Sequence, residues 1–378
     1  DDLVAIYRAL EATASNNEKT SIIADAFESA DEDELERLVT LLQGNLFTAW
    51  KSEELGVSSS LAKSAIAKAT GIDGATIEDW WRETGDLGSA AARAVKGRRQ
   101  RSLVSESLTV AGVHDALREL ATFEGEGSQR RRIDQIAGLL SNTDPEAAKY
   151  VIRTALGHLR IGVGEGTIRD AIAMAFLDES ENAVEAVERA YQVTNDYGRV
   201  ATVARDEGRG GLNELDVQLF RPIKVMLAEK AEGIDDAIGN VTTGPEPVLA
   251  EYKYDGVRAQ IHIDGDDVVV FTRRLEDVTE QFPDVKTAVH ERIDAERAIL
   301  EGEIVAYDPE TREMVPFQTL SKRIKRKYDI REMTETIPVV CYLFDVLFAD
   351  DSTLLEAPLE DRLDRLEAML DPEPWAME

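Results

Sequence analysis

An all-helical first half followed by an α+β second half on an antiparallel sheet is the fold the sequence predicts, and three observations carry it. Apolar residues in the first half recur at helical spacing, a charged glycine-rich stretch interrupts the chain near residue 205, and beyond it the apolar period falls to two. The expected domains are residues 1–212 and 213–378.

Each element has its own signal. Leu3, Ile6, Tyr7 and Leu10 fall on one helical face, and Asp31 with Glu34 reads as a capping box ahead of Leu35, Leu38 and Leu42. Asp144-Pro145 opens a further helix, with an acid at the cap and proline in the first turn. Arg205-Asp206-Glu207-Gly208-Arg209-Gly210-Gly211 has the composition of a domain linker. After it, Val257, Ala259, Ile261 and Ile263 alternate with Arg258, Gln260 and His262, Asp264-Gly265 supplies a turn, and 268–271 returns as the second strand of a hairpin. Further strands are expected at 299–307 and 339–348, a helix at 284–298, and a strand-like run at 247–252.

Composition bounds the function. The 378 residues are 43% hydrophobic, enough for more than one core and too apolar for disorder. No apolar run is long enough to span a bilayer and no basic-then-apolar leader opens the sequence, so a cytoplasmic protein is expected. The single Cys341 excludes an internal disulfide and four-cysteine zinc modules. With 74 Asp and Glu against 43 Lys and Arg, the formal net charge is −31, which fits a halophilic protein kept soluble where salt screens charge within a few Å.

Against that background four basic clusters stand out: 93–101, Arg130-Arg131-Arg132, Arg153 with Arg160 and Arg169, and 322–327. Each alone is explained by a helix face paired with neighbouring acids, while together they suit a surface that tracks phosphates. The candidate phosphate contacts are Arg98, Arg99, Arg101, Arg130, Arg131, Arg160 and Gly162, the last in a glycine-rich turn at 162–166 with no strand before it. His114, His158, His262 and His290 lack ligand spacing and read as structural.

The stretch Glu251-Tyr252-Lys253-Tyr254-Asp255-Gly256 sets a lysine between tyrosines just before an Asp-Gly turn. Deprotonated by nearby cations and desolvation, its amine could attack phosphorus; the plain alternative is a surface lysine paired with Glu251 or Asp255. Phe271-Thr272-Arg273-Arg274, Leu300-Glu301-Gly302-Glu303 and Cys341-Tyr342-Leu343-Phe344-Asp345 follow in order. They offer an arginine for phosphate or ribose, a carboxylate for Mg²⁺ and an aromatic for a base.

From about residue 100 onward the chain resembles the ATP-dependent DNA ligases of the archaeal and eukaryotic replicative type. "EYKYDGVRAQIH", "FTRR", "ILEGEIVAYD" and "YLFDVLF" are similar to successive nucleotidyltransferase motifs of that family, and "GSQRRRIDQIAGLL", "HLRIGVGEGT" and "RPIKVMLAE" to its helical DNA-binding domain and the approach to the catalytic core. The resemblance implies an adenylation domain in which Lys253 takes AMP from ATP, Glu251 reads the adenine, Arg258 and Arg273 hold ribose and phosphate, Glu303 binds nucleotide or Mg²⁺, and Phe344 stacks on the purine. It implies nicked duplex DNA as substrate, in replication, repair and recombination, with the chain acting as a monomer; whether a sliding clamp binds is left open. Two departures accompany it. Arg274 stands where the family usually has Asn, and after "PLEDRLDRLEAML" no later glutamate or lysine motif and no oligonucleotide-binding domain follows, so a truncated adenylation domain with weak or no ligation is expected. An RNA ligase or capping-type enzyme, or a non-catalytic DNA-binding relative, are the alternatives.

Overall fold

A computed structural model describes residues 2–48, 50–51, 53–98, 108–177, 181–226, 228–242, 244, 247–326 and 328–378. The chain forms two compact units, Asp1–Leu215 and Asp216–Glu378. Among the described residues no helix is long and apolar enough to cross a membrane.

Among its described residues the regular elements of the first unit are all helices. Its main core gathers alanine- and leucine-rich faces: Ala62, Ala65 and Ile66 from the helix Ser59–Thr70, Ala90, Ala91 and Ala94 from Leu87–Gly97, and Ile136 and Leu140 from Ser128–Ser141. Small residues let helices approach closely. At Gly88 a Cβ would lie 2.6 Å from the Lys149 carbonyl oxygen, so this glycine allows Leu87–Gly97 to seat against the helix Pro145–Ala155. The Asp144-Pro145 start is as expected: Asp144 Oδ1 accepts the N–H groups of Glu146 and Ala147 at 2.8 and 2.9 Å.

Two local expectations fail. Asp31 stands at the N-cap of Glu32–Gln43 without a side-chain bond; the first turn instead carries the carboxylates of Glu32, Asp33 and Glu34, which favour the positive end of the helix. The stretch read as a linker lies inside the helix Tyr197–Glu214, kinked at Gly208 with φ 62° and ψ −153°. Burial explains this: Val200, Ala201 and Ala204 before the kink, and Gly211 and Leu212 after it, are in the interior. The glycines bend the helix without ending it.

The second unit is built on one antiparallel sheet of order β2-β1-β3-β4-β5, with β1 Val257–Asp264, β2 Asp267–Thr272, β3 Arg297–Ala306, β4 Val339–Ala349 and β5 Ser352–Thr353. Gly265, at φ 58°, makes the β1–β2 turn that Asp264-Gly265 predicts. One face is the core: Val257, Ala259, Ile261 and Ile263 of β1 and Leu300, Ile304 and Ala306 of β3 pack with Val285 and Val289 of the helix Pro283–Arg292 and with Leu366 and Met369 of Leu359–Met369. That helix stops at Arg292, short of the expected 298, because Arg297 onward is taken into β3. The opposite face carries the polar half of the alternation.

Candidate active site

Strand register brings the motifs to one end of the sheet. Arg258 pairs with Glu303 across β1 and β3, and Glu303 with Tyr342 across β3 and β4. Ala259 pairs with Thr272, so Arg273, the next residue after β2, falls at the same end. Phe344 arrives by a different device. Gly302 pairs with Leu343 but Glu301 with Asp345, leaving Phe344 as the extra residue of a β-bulge, a feature that re-aims side chains. Its ring lies 4.4 Å from the Arg258 guanidinium carbon.

Lys253 precedes β1 in an exposed, irregular segment. The expected strand over 247–252 does not form: β2 and β3 already occupy both sides of β1, and the segment finds no strand partner of its own. Three contacts hold the lysine's surroundings instead. Tyr254 stacks on Tyr342 with ring centroids 4.1 Å apart and planes 3° from parallel. Asp255 Oδ2 accepts the Phe317 N–H at 3.1 Å, fastening the turn to the start of the helix Phe317–Ile324. Gly256 runs so close to β3 that a Cβ would overlap the Ile304 carbonyl and sit 2.9 Å from Glu303 Cγ.

Charge is concentrated where these groups meet. Burial holds the Glu303 carboxyl above its ordinary pKa, opposed by Arg258, the Gly256 N–H and Lys253, so both the arginine and the lysine lie within electrostatic reach of this carboxylate. Among the described residues no hydrogen bond or ion pair ties Glu251 or Arg273 to the group; both are exposed. No cluster of three metal-ligating side chains occurs among the described residues. Mg²⁺ does not require one, since it binds through one or two carboxylates together with substrate phosphates and water, and Glu303 fits that donor set.

Behind the exposed groups is a buried network that sequence reasoning did not single out. Glu301, 2% exposed, accepts Arg258 Nε and Gln260 Nε2, both at 2.5 Å. Gln260 Oε1 accepts the Ile223 N–H at 2.6 Å, and its Nε2 also reaches Ile223 O at 3.3 Å. His262 Nδ1 accepts the Phe220 N–H at 3.0 Å, which places the ring proton on Nε2, 2.9 Å from Gln260 Oε1. Burial lowers the His262 pKa to about 3, so the ring is neutral. These bonds seat residues 220–223 on the polar face of the sheet. The signal in the sequence was the polar alternation Arg258, Gln260, His262; that Gln260 faces Glu301 is set by strand register, which the sequence does not show.

The basic clusters divide. Arg98 is a structural arginine, donating to the carbonyls of Leu140, Ser141 and Thr143 at 3.2, 3.0 and 3.1 Å and so closing the end of Ser128–Ser141. Arg132 likewise serves Leu55, Leu120 and Phe123. Arg153 is buried and paired with the buried Asp86 and with Glu11, and Arg323, wholly buried, grips Asp284, the Gln281 and Ile337 carbonyls and the Phe282 ring. A single phosphate-tracking surface is therefore not what these clusters form. Arg99 and Arg101 lie outside the described residues.

The remaining DNA candidates are on the surface. Arg130 is exposed, and Arg131 is exposed with its Nη2 on the Glu124 carbonyl at 2.7 Å. Arg160 and Gly162 both have positive φ, 57° and 65°, in the loop before the helix Glu165–Phe176. Beneath it the buried Lys19 donates to Ile161 O and Gly162 O at 3.0 and 2.8 Å, a support the sequence did not disclose. The loop borders a cleft of about 400 Å³.

A sheet end carrying arginine and carboxylate beside the exposed Lys253, in a unit preceded by a helical one, suits the nucleotidyltransferase reading of the sequence. Comparison with known proteins narrows that reading. Residues 1–173 match the family "DNA ligase N terminus" and residues 225–378 the "ATP dependent DNA ligase domain". The chain belongs to the ATP-dependent DNA ligases. It is 42% identical to the DNA ligase of Thermococcus fumicolans over 366 residues, 97% of this chain and 64% of that protein, and 42% identical to that of Nanoarchaeum equitans over 371 residues, 98% and 64%. The DNA ligase of Methanothermobacter thermautotrophicus is 40% identical over 379 residues, 100% and 65%. The chain thus spans 64–65% of the length of these relatives.

Proposed function

We propose that the chain supplies the DNA-binding and adenylation steps of an ATP-dependent DNA ligase that seals nicks in duplex DNA, with Lys253 as the residue that becomes adenylylated. The observation that carries this reading is the convergence of Lys253, Arg258, Glu303 and Phe344 at one end of the sheet, with Arg258 opposite Glu303 and its guanidinium carbon over the Phe344 ring.

The neutral Lys253 amine attacks the α-phosphorus of ATP. A phosphorus–nitrogen bond forms, the bond to pyrophosphate breaks, and the lysine proton passes to solvent. Arg258 and the adjacent Arg273 offset phosphate charge, and Glu251, exposed beside Lys253, serves the base. Phe344 provides the stacking surface. Glu303 would hold Mg²⁺, which when bound would offset charge on the phosphoryl group. AMP then passes from Lys253 to the 5′-phosphate at a nick, and the 3′-hydroxyl displaces it to join the strand.

Arg160 and Gly162 at the Lys19-supported loop, with Arg130 and Arg131, are the DNA contacts of this reading. Replication, repair and recombination are where such an activity serves, in a cytoplasmic monomer, and the acidic composition suits a halophilic setting. Incubation with α-³²P-ATP and Mg²⁺ tests the lysine. Label is expected on the wild-type chain and lost in Lys253→Ala; label surviving in the variant overturns the assignment, and a wild type that neither labels nor binds ATP overturns the nucleotide reading.

A further inference from the structure

We propose that Glu301 is a positioning residue for the nucleotide site: its buried carboxylate fixes the Arg258 guanidinium over Phe344 with its terminal nitrogens turned to a ligand. The inference rests on the nucleotide reading above and adds a residue to which that reading gives no part.

Glu301 and Glu303 occupy the same face of β3, two residues apart, yet differ in kind. Glu303 is half-buried at the edge of the site, whereas Glu301 lies beneath it at 2% exposure. A carboxylate so deep is costly unless both oxygens are engaged, and here they are: Oε2 takes Arg258 Nε and Oε1 takes Gln260 Nε2. Gln260 is itself fixed by the Ile223 backbone and His262, so Glu301 has one available orientation.

The consequence falls on Arg258. Its Nε is committed to Glu301, its guanidinium carbon lies over the Phe344 ring, and no described residue hydrogen-bonds its terminal nitrogens. Those nitrogens form the forked edge that suits phosphate or ribose oxygens. Holding the guanidinium before the ligand arrives removes rotamer freedom that binding would otherwise have to freeze.

A double-mutant cycle on ATP affinity tests this, using calorimetry on the chain with Glu301→Gln, Arg258→Ala and the pair. Glu301→Gln keeps the volume but turns an amide toward Gln260. It is expected to weaken ATP binding about tenfold in the wild-type background and less than twofold in Arg258→Ala, because it acts through the arginine. Equal losses in both backgrounds would mean that Glu301 serves the fold alone and would overturn the proposal. If Glu301→Gln does not fold, Glu301→Asp, which keeps the charge but withdraws it by one methylene, replaces it with the same required non-additivity. A wild type that binds no ATP defeats the functional reading together with the inference, whereas additive losses defeat only the inference.

Discussion

Tyr254 lies face to face with Tyr342, 4.1 Å away and within 3° of parallel, so the residue following Lys253 is fixed to β4. Replacing Tyr254 with Ala removes an aromatic pair worth about 1 kcal/mol and frees the backbone at Lys253. Adenylylation of Lys253 is expected to slow by about 10- to 100-fold, the scale of a small misplacement of a reacting group, while the melting temperature moves only a few degrees. An unchanged single-turnover rate would show that Tyr254 does not place the lysine.

Gly256 is required by close approach, since its neighbour is the Ile304 carbonyl. Gly256→Ala must push β1 from β3 at the Arg258–Glu303 pair. A loss of about 1–3 kcal/mol in chemical denaturation of the second unit is expected, with weakened ATP binding. Native-like stability would show that the strands can separate there at no cost.

Arg323 and Lys325 sit two residues apart in one basic run but belong to different environments, the first wholly buried and the second exposed. Arg323→Ala strands Asp284 and is expected to cost about 3–5 kcal/mol, whereas Lys325→Gln stays within about 0.5 kcal/mol. Parallel urea titrations of the two variants distinguish them, and equal midpoints would contradict the burial.

His262 makes stability depend on pH. Burial lowers its folded pKa to about 3, below an unfolded value near ~6.5, so the unfolded chain takes up the proton first. Its contribution is complete above the unfolded value and is lost as pH falls toward about 3. Between those limits wild-type stability should fall more steeply than that of His262→Gln, by about 1.4 kcal/mol per pH unit. Parallel slopes would mean that the histidine titrates normally in the fold.

Arg98 and Arg160 were equal candidates in the sequence and should now separate. Arg160→Ala should lower the slope of log K against log salt for duplex DNA by about one unit without altering stability. Arg98→Ala should lower stability through the uncapped carbonyls of 140–143 and leave the slope unchanged. A reversed pattern would restore Arg98 to the DNA surface.

The legible part of the fold was local. Alternation from Val257 to Ile263 gave β1, its core face and the polar face of the site, because a period of two needs no knowledge of partners. The bulge at Phe344 was not readable, since an extra residue is defined only against the strand opposite. Neither was the difference between Arg323 and Lys325: the deciding carboxylate of Asp284 is 39 residues away, although Arg323 stands three residues from Leu320 and so on the buried side of its helix. The linker at 205–211 was misread because glycine content speaks of backbone freedom and says nothing of the burial of Leu212. Lys19, 143 residues from Gly162, had no sequence neighbour to betray it.

Gln260 bears on how far this protein's acidity can extend. Its amide faces a carboxylate through the nitrogen and a backbone N–H through the oxygen, so it cannot be turned over without losing both. Glutamate differs from it by a single group, and in a chain with 74 acids that exchange would pass unnoticed almost anywhere on the surface. At position 260 it would set one carboxylate against another in the interior. Deamidation of this one side chain, a slow chemical ageing, would therefore loosen Glu301, then Arg258, while leaving Lys253 chemically intact.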